Sequence, residues 1–240
     1  MPSSPSRANK PRARKLRLAR SNLLTSIALV FPCLLVYELG VILLGLRQRN
    51  GVDLITDEIG ARIGYLQFGI LLTICFVGLI LYLRRTQRFE WSPLVPVLLE
   101  SGIYALTMGT VIVFVMVDFL HMSPKMALAR GGPATKIVLA LGAGVHEELF
   151  FRLLLLGGLF YLLRQLRLGR VFALVTAFVV SAALFSAAHH VGRYGDPLAL
   201  GVFTYRFLAG LIFGALYWFR GFAVAVYTHA LYDIYVMLLR

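Results

Sequence analysis

The chain has 240 residues, 59% of them hydrophobic, a mean hydropathy of +0.80 and a formal charge of +13. Soluble domains are typically about 45–50% apolar, so this excess excludes an ordinary water-soluble fold and indicates an integral membrane protein. The two cysteines, Cys33 and Cys75, both fall inside apolar runs, which argues against a structural disulfide.

The first 22 residues carry Arg7, Lys10, Arg12, Arg14, Lys15, Arg17 and Arg20. Such a run can bind nucleic acid. Followed at once by a long apolar stretch, it reads better as a cytoplasmic tail drawn to anionic lipid headgroups, with no nucleic-acid role. A cleaved signal peptide fits poorly. The apolar run over 23–46 exceeds an h-region of about 7–15 residues and ends in Leu46-Arg-Gln-Arg-Asn50, with no small-residue cleavage site.

A membrane span needs about 20 mostly apolar residues. The sequence predicts seven, at about 23–46, 65–83, 94–120, 136–163, 171–191, 198–219 and 222–239. The expected fold is all-α: a polytopic transmembrane helix bundle with a polar cavity within the membrane. It divides into the tail 1–22, N-terminal helices and loops over 23–135, and a core over 136–240. The third and fourth spans are long enough to tilt or project. Pro32 is expected to kink the first. Residues 47–64 form a loop with Asp53, Asp57 and Glu58, and residues 121–135 another with Pro124, Gly131, Gly132 and Pro133.

Loop cations set the orientation. One side holds the seven tail cations with Arg84, Arg85, Arg88, Arg164, Arg167, Arg170 and Arg220, making 14. The other holds Arg47, Arg49, Arg62, Lys125, Arg130, Lys136, Arg193 and Arg240, making 8. The bias predicts the N-terminus inside and, with seven spans, the C-terminus outside.

The informative stretch is His146-Glu-Glu-Leu-Phe-Phe-Arg152, inside the fourth apolar run. An ionisable group at that depth costs roughly 2.5–3.5 kcal/mol on insertion scales, so three within six residues require a function. Glu147 and Glu148 are neighbours and point about 100° apart on a helix. Glu148 and Arg152 are i,i+4 in the favourable order, so Arg152 is expected to neutralise Glu148 and leave Glu147 facing elsewhere. A poorly solvated acid beside another acid suits a general base. The fifth run ends Phe185-Ser-Ala-Ala-His189-His190, and the seventh carries His229-Ala-Leu-Tyr-Asp233, an i,i+4 pair in which Asp233 can orient the imidazole. A lone membrane histidine is commonly a helix–helix hydrogen-bonding residue; three spans contributing ionisable groups point to one chamber. Glu38, Glu100 and Arg206 also lie in apolar runs, and Glu100 is expected either to reach the chamber or to pair with Arg206. Gly142, Gly144 and Gly210-x-x-x-Gly214 mark close helix approach, read as intramolecular packing rather than a dimer interface.

The ordered set Glu-Glu-x-x-x-Arg, Phe-x-x-x-His and His-x-x-x-Asp resembles the motifs of the CAAX-protease and bacteriocin-processing family of intramembrane endopeptidases. The matching positions are Glu147, Glu148 and Arg152; Phe185 and His189; His229 and Asp233. Arg206-Phe-Leu-Ala-Gly210-Leu-Ile-Phe-Gly214 resembles a weaker glycine-bearing segment between them. The resemblance covers roughly 136–239, and Asp233 stands where many members have Asn. It implies a multi-pass enzyme of a bacterial plasma membrane that cleaves a membrane-associated protein or peptide, in CAAX-type or C-terminal sorting-tail processing. Glu147 and His189 would activate water. His229, with Asp233, would stabilise the oxyanion, and Glu148 and Arg152 would hold the helix geometry. The resemblance is described with both metal-free and zinc chemistry. His146-Glu147 begins like His-Glu-x-x-His, but the second His position is Phe150, so the metal-free, cofactor-free scheme is favoured over zinc. The rival from another class is a non-catalytic immunity, scaffold or transport protein, since buried acids and histidines also build ion sites.

Overall fold

A computed structural model describes residues 23–46, 61–86, 93–123, 131–191, 195 and 197–239. The basic tail, most of the 47–64 loop and the 124–130 part of the second loop lie outside the described residues. Among the described residues there is no strand. The helices are α1 (Leu23–Leu44), α2 (Tyr65–Arg85), α3 (Leu94–Phe114, continued by a π-wound Val115–Phe119), α4, α5 (Arg170–Ala188), α6 (Leu200–Arg220) and α7 (Phe222–Leu239). α4 is a single rod that changes winding twice: α-helical over Pro133–Glu147, π-wound over Glu148–Leu156, and α-helical again over Gly157–Gln165. Backbone angles stay helical at both junctions, Glu148 and Gly157.

Proline and glycine punctuate the chain as their geometry requires. Pro133 opens α4 at a position where the missing N–H costs nothing. Pro32 sits inside α1, and the helix runs through it. Gly221 alone separates α6 from α7, with φ 107°, a conformation that a side chain would strain.

The polar contacts sort the helix ends into two groups. At the near end, Tyr227 Oη donates to the Leu29 carbonyl (2.7 Å), Ser101 Oγ to the Val224 carbonyl (3.3 Å), and Arg220 clasps Glu100. These bring together the starts of α1, α3 and α7 and the end of α6. At the far end, Lys136 Nζ donates to the Met237 carbonyl (2.7 Å) and Ser186 Oγ to the Phe203 carbonyl (2.7 Å), joining the starts of α4 and α6 to the ends of α7 and α5. Successive helices therefore alternate in direction, and α4 traverses the bundle from far end to near end.

α7 is the central helix. Ala223, Val224, Ala225, Val226 and Ala230 are all buried, and their small size lets neighbours approach on every side. Gly144 of α4 lies against it so closely that a Cβ there would fall 2.8–3.0 Å from Ala230 Cβ, Ala230 N and the Val226 carbonyl. Gly210 faces Ala182 and Phe185, and Gly214 faces Leu156 and Phe178, so this glycine pair packs within the chain. α2 sits at the periphery against α1, with Phe31 stacked on Phe76 at 4.8 Å and an outer face of exposed Leu and Ile suited to lipid.

Six helices are long and apolar enough to cross a membrane by length and composition: α1, α2, α3 with its π continuation, α5, α6 and α7. The fourth expected span, 136–163, falls on α4 and is not among them. None of its three segments exceeds 15 residues, and its centre carries Glu147, Glu148 and Arg152. The protein is a multi-pass helix bundle, and α4 buries the face that carries Glu147, Glu148 and Arg152 while Leu149, Phe150, Leu154, Tyr161 and Leu162 are exposed.

Candidate active site

Three distant stretches of chain meet where α4 changes winding. Glu147 ends the α-helical part and Glu148 begins the π-wound part, so the two carboxylates leave the rod in different directions. π-wound turns inside α-helices occur frequently at functional sites. Here the wider winding carries Glu148, Phe151 and Arg152 inward, and all are buried.

Glu147 Oε2 lies 3.6 Å from His189 Nε2 and 3.8 Å from His229 Nε2. Glu148 Oε2 pairs with Arg152 Nε at 3.1 Å, and its other oxygen accepts from His229 Nδ1 at 2.7 Å. Glu148 therefore has a second task that the sequence does not announce: it grips His229 from across the bundle. Asp233, the partner expected from i,i+4 spacing, sits at 3.5 Å from His229 Nε2. The tight hold on the ring comes from a residue 81 positions away in sequence rather than from the adjacent turn.

Partner chemistry assigns the histidine protons. His189 Nδ1 lies 2.8 Å from the Phe185 carbonyl, which only accepts, so Nδ1–H donates and Nε2 faces Glu147. His229 Nδ1–H donates to the Glu148 carboxylate, leaving Nε2 toward Glu147 and Asp233. Separations of 3.6–3.8 Å exceed a direct hydrogen bond. A water seated to one side of the Glu147–His189 line meets both at ordinary hydrogen-bond distance.

An aromatic collar encloses these groups. Phe213 stacks on the His229 ring at 4.4 Å and 14°. Phe185 meets His189 edge-on at 4.9 Å and His229 at 6.0 Å. The Arg152 guanidinium stands 4.2 Å from the Phe185 centroid, 5.2 Å from Phe213 and 5.9 Å from Phe151, and reaches the Gly210 carbonyl at 3.5 Å. Desolvated cation–π contacts of this kind contribute about 2 kcal/mol. The collar also lowers the local dielectric, which strengthens every charge interaction inside it. Phe213 and Phe151 escape sequence reading, because an aromatic residue in an apolar run carries no chemical signal. Phe213 lies one helical turn beyond Gly210, and that register is the only available hint.

Other polar residues lie elsewhere. His146 donates Nδ1–H to the Gly142 carbonyl at 2.8 Å and meets Tyr37 edge-on. His190 stacks on Phe203. Glu100 neither enters the chamber nor takes Arg206 as its ion-pair partner. Arg220 holds it from the end of α6, with Nη2–Oε2 at 2.9 Å, and Tyr104 donates to it at 3.0 Å. The register of antiparallel α3 and α6, invisible in the sequence, decides that choice. Among the described residues no group of three or more His, Cys, Asp or Glu side chains is arranged to hold a metal ion.

Chemically, the assembly offers a carboxylate and an imidazole nitrogen 3.6 Å apart, with a second imidazole fixed beside them. Residues 131–235 match the Rce1-like family, described as type II CAAX prenyl endopeptidase. That stretch contains all of Glu147, Glu148, Arg152, His189, His229 and Asp233. No curated protein and no solved structure matches the chain.

Proposed function

We propose that this chain, an intramembrane protease of the CAAX type, hydrolyses a peptide bond with water activated by Glu147 and His189. The observation that supports it is the convergence of Glu147 Oε2 on the Nε2 atoms of both His189 and His229, at 3.6 and 3.8 Å. Water donates one hydrogen to Glu147 and the other to His189 Nε2. As its oxygen attacks the peptide carbonyl carbon, Glu147 takes the proton. His229, doubly protonated between the Glu148 and Asp233 carboxylates, donates from Nε2 to the developing oxyanion. Such a donor fixed in a dry site lowers the barrier by roughly 3–4 kcal/mol. When the tetrahedral intermediate collapses, Glu147 returns its proton to the leaving amine and the C–N bond breaks, yielding an amine and a carboxylic acid, which retains the second proton of the water.

Glu148 and Arg152 hold the geometry. Arg152 balances Glu148, and Glu148 fixes the orientation of the His229 ring, as an outer carboxylate does for a working imidazole. Asp233 supports the same ring. The substrate is a membrane-associated protein or peptide cleaved near a lipid-anchored or transmembrane end, of the CAAX or C-terminal sorting-tail kind. The basic tail lies on the cytoplasmic side, against anionic headgroups.

Membrane proteomics of cells lacking the chain identifies the protein that accumulates uncut. Returning the Glu147→Gln variant leaves that protein uncut, although the variant is folded and present in the membrane; restored processing removes Glu147 from the mechanism. Cleavage that survives exhaustive chelation, with no metal by elemental analysis, supports the metal-free scheme. Loss on chelation and recovery with zinc overturns it.

A further inference from the structure

Hydroxyls on apolar helices commonly turn back onto their own helix, to the carbonyl four residues earlier. Thr73 Oγ1 does so with the Gly69 carbonyl (2.9 Å) and Thr107 Oγ1 with the Ile103 carbonyl (2.8 Å). Ser181 departs from this pattern. From the middle of α5 its Oγ donates across the bundle to the Phe151 carbonyl of α4 at 2.6 Å, and both residues are 2% exposed. The sequence of α5 permits that reach. Ala173, Ala177 and Ser181 stand at i, i+4 and i+8, and all are buried. Small side chains on one stripe let helices approach closely, so a side chain with one heavy atom beyond Cβ touches the opposite main chain. Phe185, one turn further on the same stripe, meets Phe151 edge-on at 5.3 Å, and its centroid lies 4.2 Å from the Arg152 guanidinium.

The bond falls on the part of α4 that most needs an outside hold. Glu148–Leu156 is π-wound, a rare winding that the α form normally displaces. The Phe151 carbonyl carbon is bonded to the Arg152 nitrogen, so fixing that carbonyl fixes the peptide plane from which Arg152 springs. α5 therefore holds Arg152 twice: its main chain through Ser181 and its guanidinium through Phe185. Arg152 pairs with Glu148 at 3.1 Å, and Glu148 accepts from His229 Nδ1 at 2.7 Å. A continuous path of contacts thus runs from the Ser181 hydroxyl to the His229 ring.

We propose that Ser181 is a positioning residue: its hydroxyl holds the π winding of α4 and thereby sets Arg152, Glu148 and His229 in their working arrangement. Without it the segment relaxes toward the commoner α winding, and Arg152 turns about the rod axis, away from the three rings. The effect on cleavage rests on the protease reading above, whereas the hold on the winding does not. A serine that only joined two helices would weaken their packing and leave the turnover of the folded protein unchanged.

The test compares three variants of the full chain. Ser181→Ala removes the hydroxyl. Ser181→Cys keeps the volume but offers only a weak donor. Ser101→Ala removes another buried cross-helix hydroxyl, which bonds the Val224 carbonyl at 3.3 Å. Amide hydrogen exchange in mixed micelles, read by mass spectrometry, is expected to quicken about tenfold over Glu148–Leu156 in both Ser181 variants, as the loss of one buried hydrogen bond implies. Exchange over the same residues stays unchanged in Ser101→Ala. On the membrane protein that accumulates uncut in cells lacking the chain, kcat of the Ser181 variants is expected to fall about tenfold to a hundredfold, with KM changed by less than about twofold. Unchanged exchange over Glu148–Leu156 overturns the proposal. So does quickened exchange with full kcat, a loss carried by KM alone, or an equal kcat loss in Ser101→Ala. Native behaviour of Ser181→Cys beside an impaired Ser181→Ala also overturns it, by assigning the effect to volume. Should the native chain cleave nothing, the protease reading fails, and exchange alone decides whether Ser181 holds the winding.

Discussion

Replacing Arg152 with Met tests the electrostatic frame of the site. The side chain is fully buried, pairs with Glu148 at 3.1 Å and lies over three phenyl rings. At that separation and an effective dielectric of 20, the Coulomb attraction is about 5 kcal/mol, most of which offsets the cost of desolvating two ions. Methionine fills similar volume and keeps the apolar contacts, but it leaves Glu148 with no cation except the His229 ring. Removing one partner of a buried pair costs about 3–5 kcal/mol. The Arg152→Met variant is therefore expected to lose about 3–5 kcal/mol in reversible unfolding from mixed micelles. Combining it with Glu148→Gln removes the stranded charge, so the double variant is more stable than the sum of the singles by about 1–3 kcal/mol. A single-variant loss below about 1 kcal/mol, or additivity within about 0.5 kcal/mol, refutes the idea that Arg152 exists to neutralise Glu148.

His229→Gln retains volume and polarity but removes the charged Nε2 donor that the proposed mechanism requires. Cleavage is expected to fall about 10²–10³-fold in kcat with little change in KM, measured on the purified protein with its identified substrate. Gly144→Ala forces a methyl onto the backbone of α7 and is expected to destabilise by about 1–3 kcal/mol, whereas Gly158→Ala, with nothing within 4 Å, is neutral or stabilising by about 0.5–1 kcal/mol; thermal unfolding of the pair compares them. Glu100→Gln breaks the partly exposed pair with Arg220, so the expected loss is under about 1 kcal/mol, with unchanged cleavage. Strong inactivation by Glu100→Gln places that residue in the chemistry instead.

Much of the candidate site was legible because a membrane penalises polarity. Glu147, Glu148, Arg152, His189, His229 and Asp233 stand out against apolar runs, and their spacing on helices announces which share a face. The same penalty made the helices countable, and the loop cations supplied an orientation. Legibility failed where the informative partner was apolar or remote. Phe213 beneath His229 looks like any other aromatic residue in a span. Arg220, rather than Arg206, holds Glu100, because the register of two antiparallel helices follows from side-chain packing.

By itself, the sequence determined that this is a helical membrane protein with ionisable groups on three helices, since hydropathy and local period depend only on neighbouring residues. Only the tertiary structure decided that Glu148 grips His229, that α4 changes winding at the acidic pair, and that α5 ends level with the site. Those outcomes depend on how closely the small residues of α7 and the glycines of α4 and α6 let the helices approach, and close approach is a property of pairs of surfaces rather than of any one stretch of chain.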